Sequence, residues 1–247
     1  MDLALHPSQI GDAEAREAVA ALRARYSPAT VQQTLAALTG LWDALSVQGV
    51  VTDNPWRRLR RDRPECRVSH RYLTEDEVRR LFRAAQSPEE HVLLRTLYYC
   101  GLRVSEAVAL DWGDVSEHNG TWTVTVYGKG QRTREQTVPQ HLLVEWLEVA
   151  TSTGDAAPVL VTETGRRWTR FGVYHRVRSC ARRASIPRAP SPHWLRHSAA
   201  VHLLDHGTPV HEVQAWLGHA NLATTSIYTQ ITARPRTGEA LPVFGLE

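Results

Sequence analysis

Residues 121–138 read TWTVTVYGKGQRTREQTV. Residues 121–127 alternate polar and apolar side chains, which is the period of a half-buried strand. GKGQ at 128–131 supplies a turn, and 133–138 return as a second strand. Around this hairpin, apolar residues recur at helical spacing. Upstream, Thr74 and Glu77 form a capping box ahead of Val78, Leu81, Phe82 and Ala85. Ser87-Pro88 opens a helix that buries Val92, Leu93 and Leu97 and stops at Gly101, and a short helix carries Val104 to Leu110. Downstream, helices are expected at 139–150, 170–184, 193–205, 209–217 and 222–230, with a short strand at 159–162. The reading is a mainly α fold with a small antiparallel β-sheet.

The N-terminal part is helical. Asp12 is placed as the cap of a helix that runs to Arg25 with Val19 and Leu22 on one face. Ser27 and Pro28 start a second helix, along which Val31, Leu35, Leu38, Trp42 and Leu45 follow before Gly49 ends it and Asn54-Pro55 turns the chain. Residues 1–56 thus form a short helical domain. The stretch 56–72, WRRLRRDRPECRVSHRY, carries Arg57, Arg58, Arg60, Arg61, Arg63, Arg67 and Arg71 against Asp62 and Glu65, with Pro64 breaking any helix. Residues 57–73 are read as an extended basic linker. Its arginines suit a DNA phosphate backbone, because a guanidinium pairs with phosphate and releases counterions. A second domain spans 74–232. The tail 233–247, with Pro235, Gly238 and Pro242, is not expected to be helical throughout.

The composition excludes several classes. The chain has 247 residues, 42% hydrophobic and 22% charged, which is ordinary for a packed protein and not for a disordered one. No apolar run approaches the ~20 residues of a membrane span, and MDLALHPSQIGDAEA lacks the basic start and apolar stretch of a secretory signal. Cys66, Cys100 and Cys180 are scattered without CxxC spacing, which argues against a disulfide framework or zinc ribbon and suits the cytoplasm. Of the 29 Lys and Arg residues, Lys129 is the sole lysine. A lysine can transfer a proton that an arginine holds too tightly. The net charge of +3 is too small to identify a nucleic-acid binder, so the placement of the cations matters more than their sum.

Several polar residues stand where a scaffold does not need them. Arg103 follows a glycine helix stop in CGLRVSEAVAL, and Lys129 sits between two glycines at the hairpin tip. His193 and Arg196, three apart in HWLRH, share a helix face. His219 lies in LGHAN, and Tyr228 follows in TSIYTQ. This set is rich in donors and cations and has no carboxylate cluster, so its natural ligand is an anion such as phosphate. The His193/His197 and His202/His206 pairs have metal-compatible spacing, but HWLRH lacks the glutamate of HExxH and HLLDH has no evident third ligand, so no metal is expected.

The order GLRVSE, GKG in a hairpin, HxLRH, LGH and a tyrosine nine residues on resembles the tyrosine recombinase (phage integrase) family. The resemblance is close over about 74–232 and looser over 27–63. It implies a tyrosine recombinase catalytic-domain fold, here preceded by a core-binding-like domain with fewer helices than is usual, through truncation, an upstream start or a reduced clamp. Carried onto matching positions, it implies that Arg103 and Arg196 hold the non-bridging oxygens of a scissile phosphate, with Glu106 supporting Arg103. Lys129 would protonate the leaving 5′ oxygen, His193 and His219 would bond the phosphate and assist proton transfer, and Tyr228 would be the nucleophile. The implied partners are double-stranded DNA with specific recombination sites, a homo-tetramer on synapsed DNA, and accessory proteins or a partner recombinase. The implied setting is the cytoplasm, at the nucleoid, with no cofactor and no membrane. The tail's Val243, Phe244 and Leu246 are apolar, and the expectation is that they dock on a neighbouring subunit, the alternative being a disordered or self-packed tail.

The chemistry is consistent without the resemblance. A tyrosine hydroxyl with a pKa of ~10 needs nearby cations to attack at neutral pH, and cations also stabilise the added charge on a five-coordinate phosphorus. Three other readings remain open at this point: a type IB topoisomerase, a DNA-binding relative that does not catalyse, and a metallohydrolase. If the basic linker straps a phosphate backbone, duplex binding should weaken by on the order of 10³-fold between about 50 and 200 mM salt. A flat response in a binding titration would dismiss the strap.

Overall fold

The computed structural model describes residues 6–59, 71–128 and 133–218. It divides into two compact units, Met1–Arg67 and Val68–Glu247. Among the described residues, no helix is long and apolar enough to cross a membrane.

The first unit contains α1 (Asp12–Arg25) and α2 (Pro28–Val47), with 3-10 turns at Pro7–Gln9 and Pro55–Arg57. The start of α1 differs from expectation. Gly11 is the N-cap, and its N–H donates to Glu14 Oε2 at 2.9 Å. Asp12 is therefore already helical, and its carboxylate takes Arg58 at 3.3 Å. α2 starts as read, with the Ser27 hydroxyl accepting Thr30 N–H at 3.3 Å ahead of Pro28. Ala15, Val19, Val31, Leu35, Trp42, Val51 and Trp56 form a small core. Within it, Trp42 and Trp56 meet edge to face, with centroids 5.3 Å apart. Asn54 ties the Asn-Pro turn to α2 by donating to Thr39 O (3.0 Å) and Asp43 (2.6 Å) while accepting Trp56 N–H (3.1 Å).

These contacts pull the beginning of the basic stretch into the unit. Trp56 is buried. Arg57 pairs with Asp43 at 3.0 Å, and its hydrogen bond holds that carboxyl below its ordinary pKa. Arg58 bridges Asp12 and Asp53. Residues 56–58 are therefore folded rather than extended. Arg60, Arg61, Arg63 and Arg67 lie outside the described residues.

The second unit is mainly helical with one small sheet, the expected class. Its helices are α3 (Glu75–Arg83), α4 (Pro88–Tyr99), α5 (Val104–Ala109), α6 (Gln140–Val149), α7 (Arg170–Arg183), α8 (Pro192–Asp205) and α9 (Val210–Leu217). The Thr74–Glu77 capping box closes α3 in both directions, at 2.8 and 3.2 Å. The sheet has three antiparallel strands, β1 (Val115–His118), β2 (Thr121–Tyr127) and β3 (Thr133–Val138), in that order. β1 was not anticipated, being short and polar. Its signal was Asn119-Gly120, both with positive φ (53° and 80°), a dipeptide that favours a tight hairpin turn. Conversely, residues 159–162 form no sheet strand. They contribute only one isolated bridge, Val161 with Arg167.

α4 is the central element. Val92, Leu93, Leu94, Leu97 and Tyr98 are all buried, and α4 packs against both α6 and α8. Its Thr96 hydroxyl donates to Val92 O and accepts the Trp146 indole N–H from α6, each at 2.8 Å. Its buried Glu90 is paired by Arg176 and Arg183 of α7. Tyr98 reaches His202 of α8 at 2.7 Å. Because α4 and α8 together support the elements described next, Leu97→Ala should destabilise the unit by about 2–5 kcal/mol through lost burial and a residual cavity. Denaturant unfolding measures this, and a loss below 1 kcal/mol (~1) would mean the site collapses freely.

Candidate active site

The site is built where α4 ends. Gly101, with φ of 55°, breaks the helix. A side chain is excluded there, since a Cβ would lie 2.3 Å from the Trp216 ring of α9. The chain then turns so that Arg103 caps α5. Arg103 N–H donates to Glu106 Oε2 at 2.8 Å, and its guanidinium donates to Glu106 Oε1 at 2.7 Å. The Arg103 side chain remains 39% exposed while that of Glu106 is 5% exposed. The carboxylate is thus the buried anchor and the guanidinium the presented group.

Two further arginines converge on the same carboxylate. Arg134 of β3 donates through both terminal nitrogens to both Glu106 oxygens, at 3.1 and 2.9 Å. Arg196 of α8 stands 3.9 Å away. Burial would raise the Glu106 pKa, but the hydrogen bonds from Arg134 and Arg103 and the charge of Arg134 outweigh it and pull the group to about 2. Arg196 is itself buried, and it donates to the carbonyls of Gly101 and Leu217. It ties the turn after α4 to the end of α9, a more enclosed position than an exposed phosphate clamp.

His193 is the exposed residue of the first turn of α8, within electrostatic reach of Arg196 and Arg103. Desolvation, then those two charges, lower its pKa, so it is a neutral imidazole at physiological pH. His193 and His197 rings are 5.5 Å apart. His197 is pushed down to about 4, first by burial and then by His193, Arg196 and Arg71. Arg71 is exposed, and its charge reaches α8. The other pair of spaced histidines is employed separately. His202 bonds Tyr98, and His206 bonds Glu75 at 2.6 Å. Among the described residues, no group of three His, Cys, Asp or Glu side chains is placed to hold a metal.

Of the residues singled out in the sequence, Arg103, Glu106, His193 and Arg196 therefore gather at one place. Lys129, His219, Tyr228, the 222–230 helix and the 233–247 tail lie outside the described residues. Two residues of the site were missed. Arg134 and Gln136 alternate with Val138 onto the inner face of β3. With its amide oriented to satisfy both groups, Gln136 donates to Trp216 O at 2.9 Å and accepts the Trp216 indole N–H. The available signal was the phase itself, which places an arginine and a glutamine where a strand expects apolar side chains.

The phage integrase family model matches residues 71–234. The chain belongs to the phage integrase family. The tyrosine recombinase XerD of Pseudomonas putida is 34% identical over 220 residues, covering 83% of this chain and 72% of the relative. Among solved structures, the XerH site-specific recombinase in a post-cleavage complex with palindromic difH substrate covers 92% of this chain and 70% of its own, at 23% identity and a TM-score of 0.74. A lambda integrase tetramer bound to a Holliday junction covers 87% and 65%, at 16% identity and a TM-score of 0.71. The structural likenesses establish the fold of this integrase-family chain, and the XerD likeness its kinship with tyrosine recombinases.

The neutral imidazoles carry a stability consequence. His197 and His202 each sit at about 4 when folded, against 6.5 ordinarily, with burial the leading cause. As the pH falls through 6.5 the unfolded chain takes up protons that the folded chain refuses, so stability should drop progressively down to about pH 4. Melting temperature against pH tests this. The slope should flatten in His202→Asn, and a temperature constant from about pH 7 to 4.5 would contradict the buried neutral state.

Proposed function

We propose that this chain is a site-specific tyrosine recombinase that cleaves and rejoins DNA through a 3′-phosphotyrosyl intermediate. The observation that carries the reading is the partly exposed Arg103, held by buried Glu106 beside His193 and Arg196, in a chain of the phage integrase family. Cations anchored on a buried carboxylate and directed outward are suited to a phosphate diester, and pre-set charge of this kind stabilises a phosphoryl-transfer transition state.

In this reading Arg103 contacts the non-bridging oxygens of the scissile phosphate, and Arg196 contributes positive charge from beneath and holds the Gly101 and Leu217 turns in place. The Tyr228 oxygen attacks phosphorus as its proton passes to a neutral acceptor, His193 or His219 or water. The bond from phosphorus to the 5′ oxygen breaks, and Lys129 gives that oxygen a proton. The products are a 3′-phosphotyrosine and a free 5′ hydroxyl. A 5′ hydroxyl from a second strand attacks the link and restores Tyr228. The phosphodiester energy is conserved in the covalent link, so the cycle needs neither ATP nor a metal.

Exchange between two duplexes in this way passes through a Holliday junction held by a homo-tetramer, and the lambda integrase tetramer of similar fold supports that assembly. Docking of the 233–247 tail on a neighbouring subunit would link the copies. Arg57, Arg58, Arg60, Arg61, Arg63, Arg67 and Arg71 supply phosphate contacts. The location is the cytoplasm, where the recombination sites are.

The test uses nicked suicide duplexes tiled across the DNA that flanks the coding gene, incubated with the chain in EDTA and run on a denaturing gel. A covalent adduct is expected from the wild type and none from Tyr228→Phe. An adduct that persists in the variant removes Tyr228 as nucleophile. Activity that chelation abolishes indicates a metallohydrolase. Relaxation of a supercoiled plasmid with no partner site indicates topoisomerase action instead.

A further inference from the structure

The inner face of β3 carries a residue to which the chemistry above assigns no role. Arg134 pairs across the sheet with Val126 and points inward, its side chain 15% exposed. Both of its terminal nitrogens are engaged with the two oxygens of Glu106, so it does not face a ligand. Its stem meets a second element. Gly218 ends α9 with a φ of 61°, and a Cβ on it would lie 2.8 Å from Arg134 Cδ. The residue after Gly218 is His219, and Arg134 lies five residues beyond Lys129. One side chain therefore touches the support of Arg103 and the turn that enters His219, from the strand that follows Lys129.

We propose that Arg134 is a positioning residue for DNA cleavage, holding Glu106 and through it Arg103 in the orientation that meets the scissile phosphate, and setting the α9 turn ahead of His219. This rests on the recombinase reading. The geometry favours such a role over a purely structural one. Without Arg134 the carboxylate keeps only its contacts from Arg103, one of them the guanidinium that it has to hold, so the two-point fork is the support from outside α5 that fixes its rotation. Arg103 makes its own hydrogen bond to the Glu106 oxygen that Arg134 Nη1 also holds, so a rotation of the carboxylate moves the presented guanidinium directly. The charged groups facing Glu106 are Arg103 from the start of α5, Arg134 from β3 and Arg196 from α8. Arg134 contributes the fork, and with it much of what keeps the carboxylate ionised.

The experiment compares wild type, Arg134→Gln, Arg134→Lys, Glu106→Gln and the Glu106→Gln/Arg134→Gln double variant on the suicide duplex that gives the wild-type adduct. Single-turnover adduct formation, duplex affinity and melting temperature are measured for each. Arg134→Gln should slow adduct formation on the order of 10²-fold while duplex affinity stays within about twofold, because the defect is in orientation and not in binding. Arg134→Lys should recover part of the rate, since it restores the charge without the fork. The double variant should be no slower than the slower single variant, as the two residues act through one contact. The acid limb of the rate profile should move to higher pH in Arg134→Gln, because Glu106 then protonates more readily.

Wild-type rates in Arg134→Gln would overturn the proposal. So would a rate loss that tracks the melting temperature and adds to that of Glu106→Gln. A wild-type chain that forms no adduct on any flanking duplex overturns the recombinase reading and this inference with it, an outcome distinct from a failure of Arg134 alone.

Discussion

The second unit is organised around one buried carboxylate. Glu106 is removed from water and surrounded by the guanidinium groups of Arg103, Arg134 and Arg196. A carboxylate in that position is costly unless it is fully paired, and breaking such a pair is worse than never having built it, because the remaining charge stays buried. Three elements that are distant in sequence must meet for the pairing to hold: the start of α5, the strand β3 and the middle of α8. The pairing therefore reports that the domain is correctly assembled. It also turns an anion into the anchor of an outward-facing cation.

Close backbone contacts make that convergence possible. Trp216 lies against Gly101, and Gly218 lies against the Arg134 stem, at two positions whose positive φ also favours glycine. Arg196 then joins the carbonyls of Gly101 and Leu217. Buried carbonyls need donors, and a guanidinium meets two at once. A charge and two tight turns thus stabilise one another. The surrounding helices supply rigidity, with α4 and α8 each buried along most of its length.

The first unit shows a different use of arginine. Arg57 and Arg58 are paired with Asp43, Asp12 and Asp53 at exposed positions. Exposed ion pairs of this kind contribute little to stability, so exchanging a carboxylate for a phosphate costs little. The same contacts order the chain up to residue 58 around Trp56 and Asn54. The basic stretch consequently begins from a folded base instead of a loose end.

Much of the helical architecture was legible because it is local. The Ser27-Pro28, Thr74–Glu77 and Ser87-Pro88 starts and the Gly101 stop depend on neighbours within a turn, and the hairpin strands declare themselves by alternation. Arg103, Glu106, His193 and Arg196 were legible as a motif, since two helical spacings place them in pairs. Other features depended on distant partners. Residues 159–162 had strand composition but no neighbouring strand to complete a ladder. Arg134 and Gln136 lie on the inner face of β3, and their roles became evident only with their partners, Glu106 and Trp216, which come from other elements. The sequence by itself determined most of the helices, the β2–β3 hairpin and the motif they carry, because hydrogen bonds and burial period act over a few residues. The tertiary structure decided which buried charge anchors which exposed one, because electrostatic pairing depends on distance in space and not on separation along the chain.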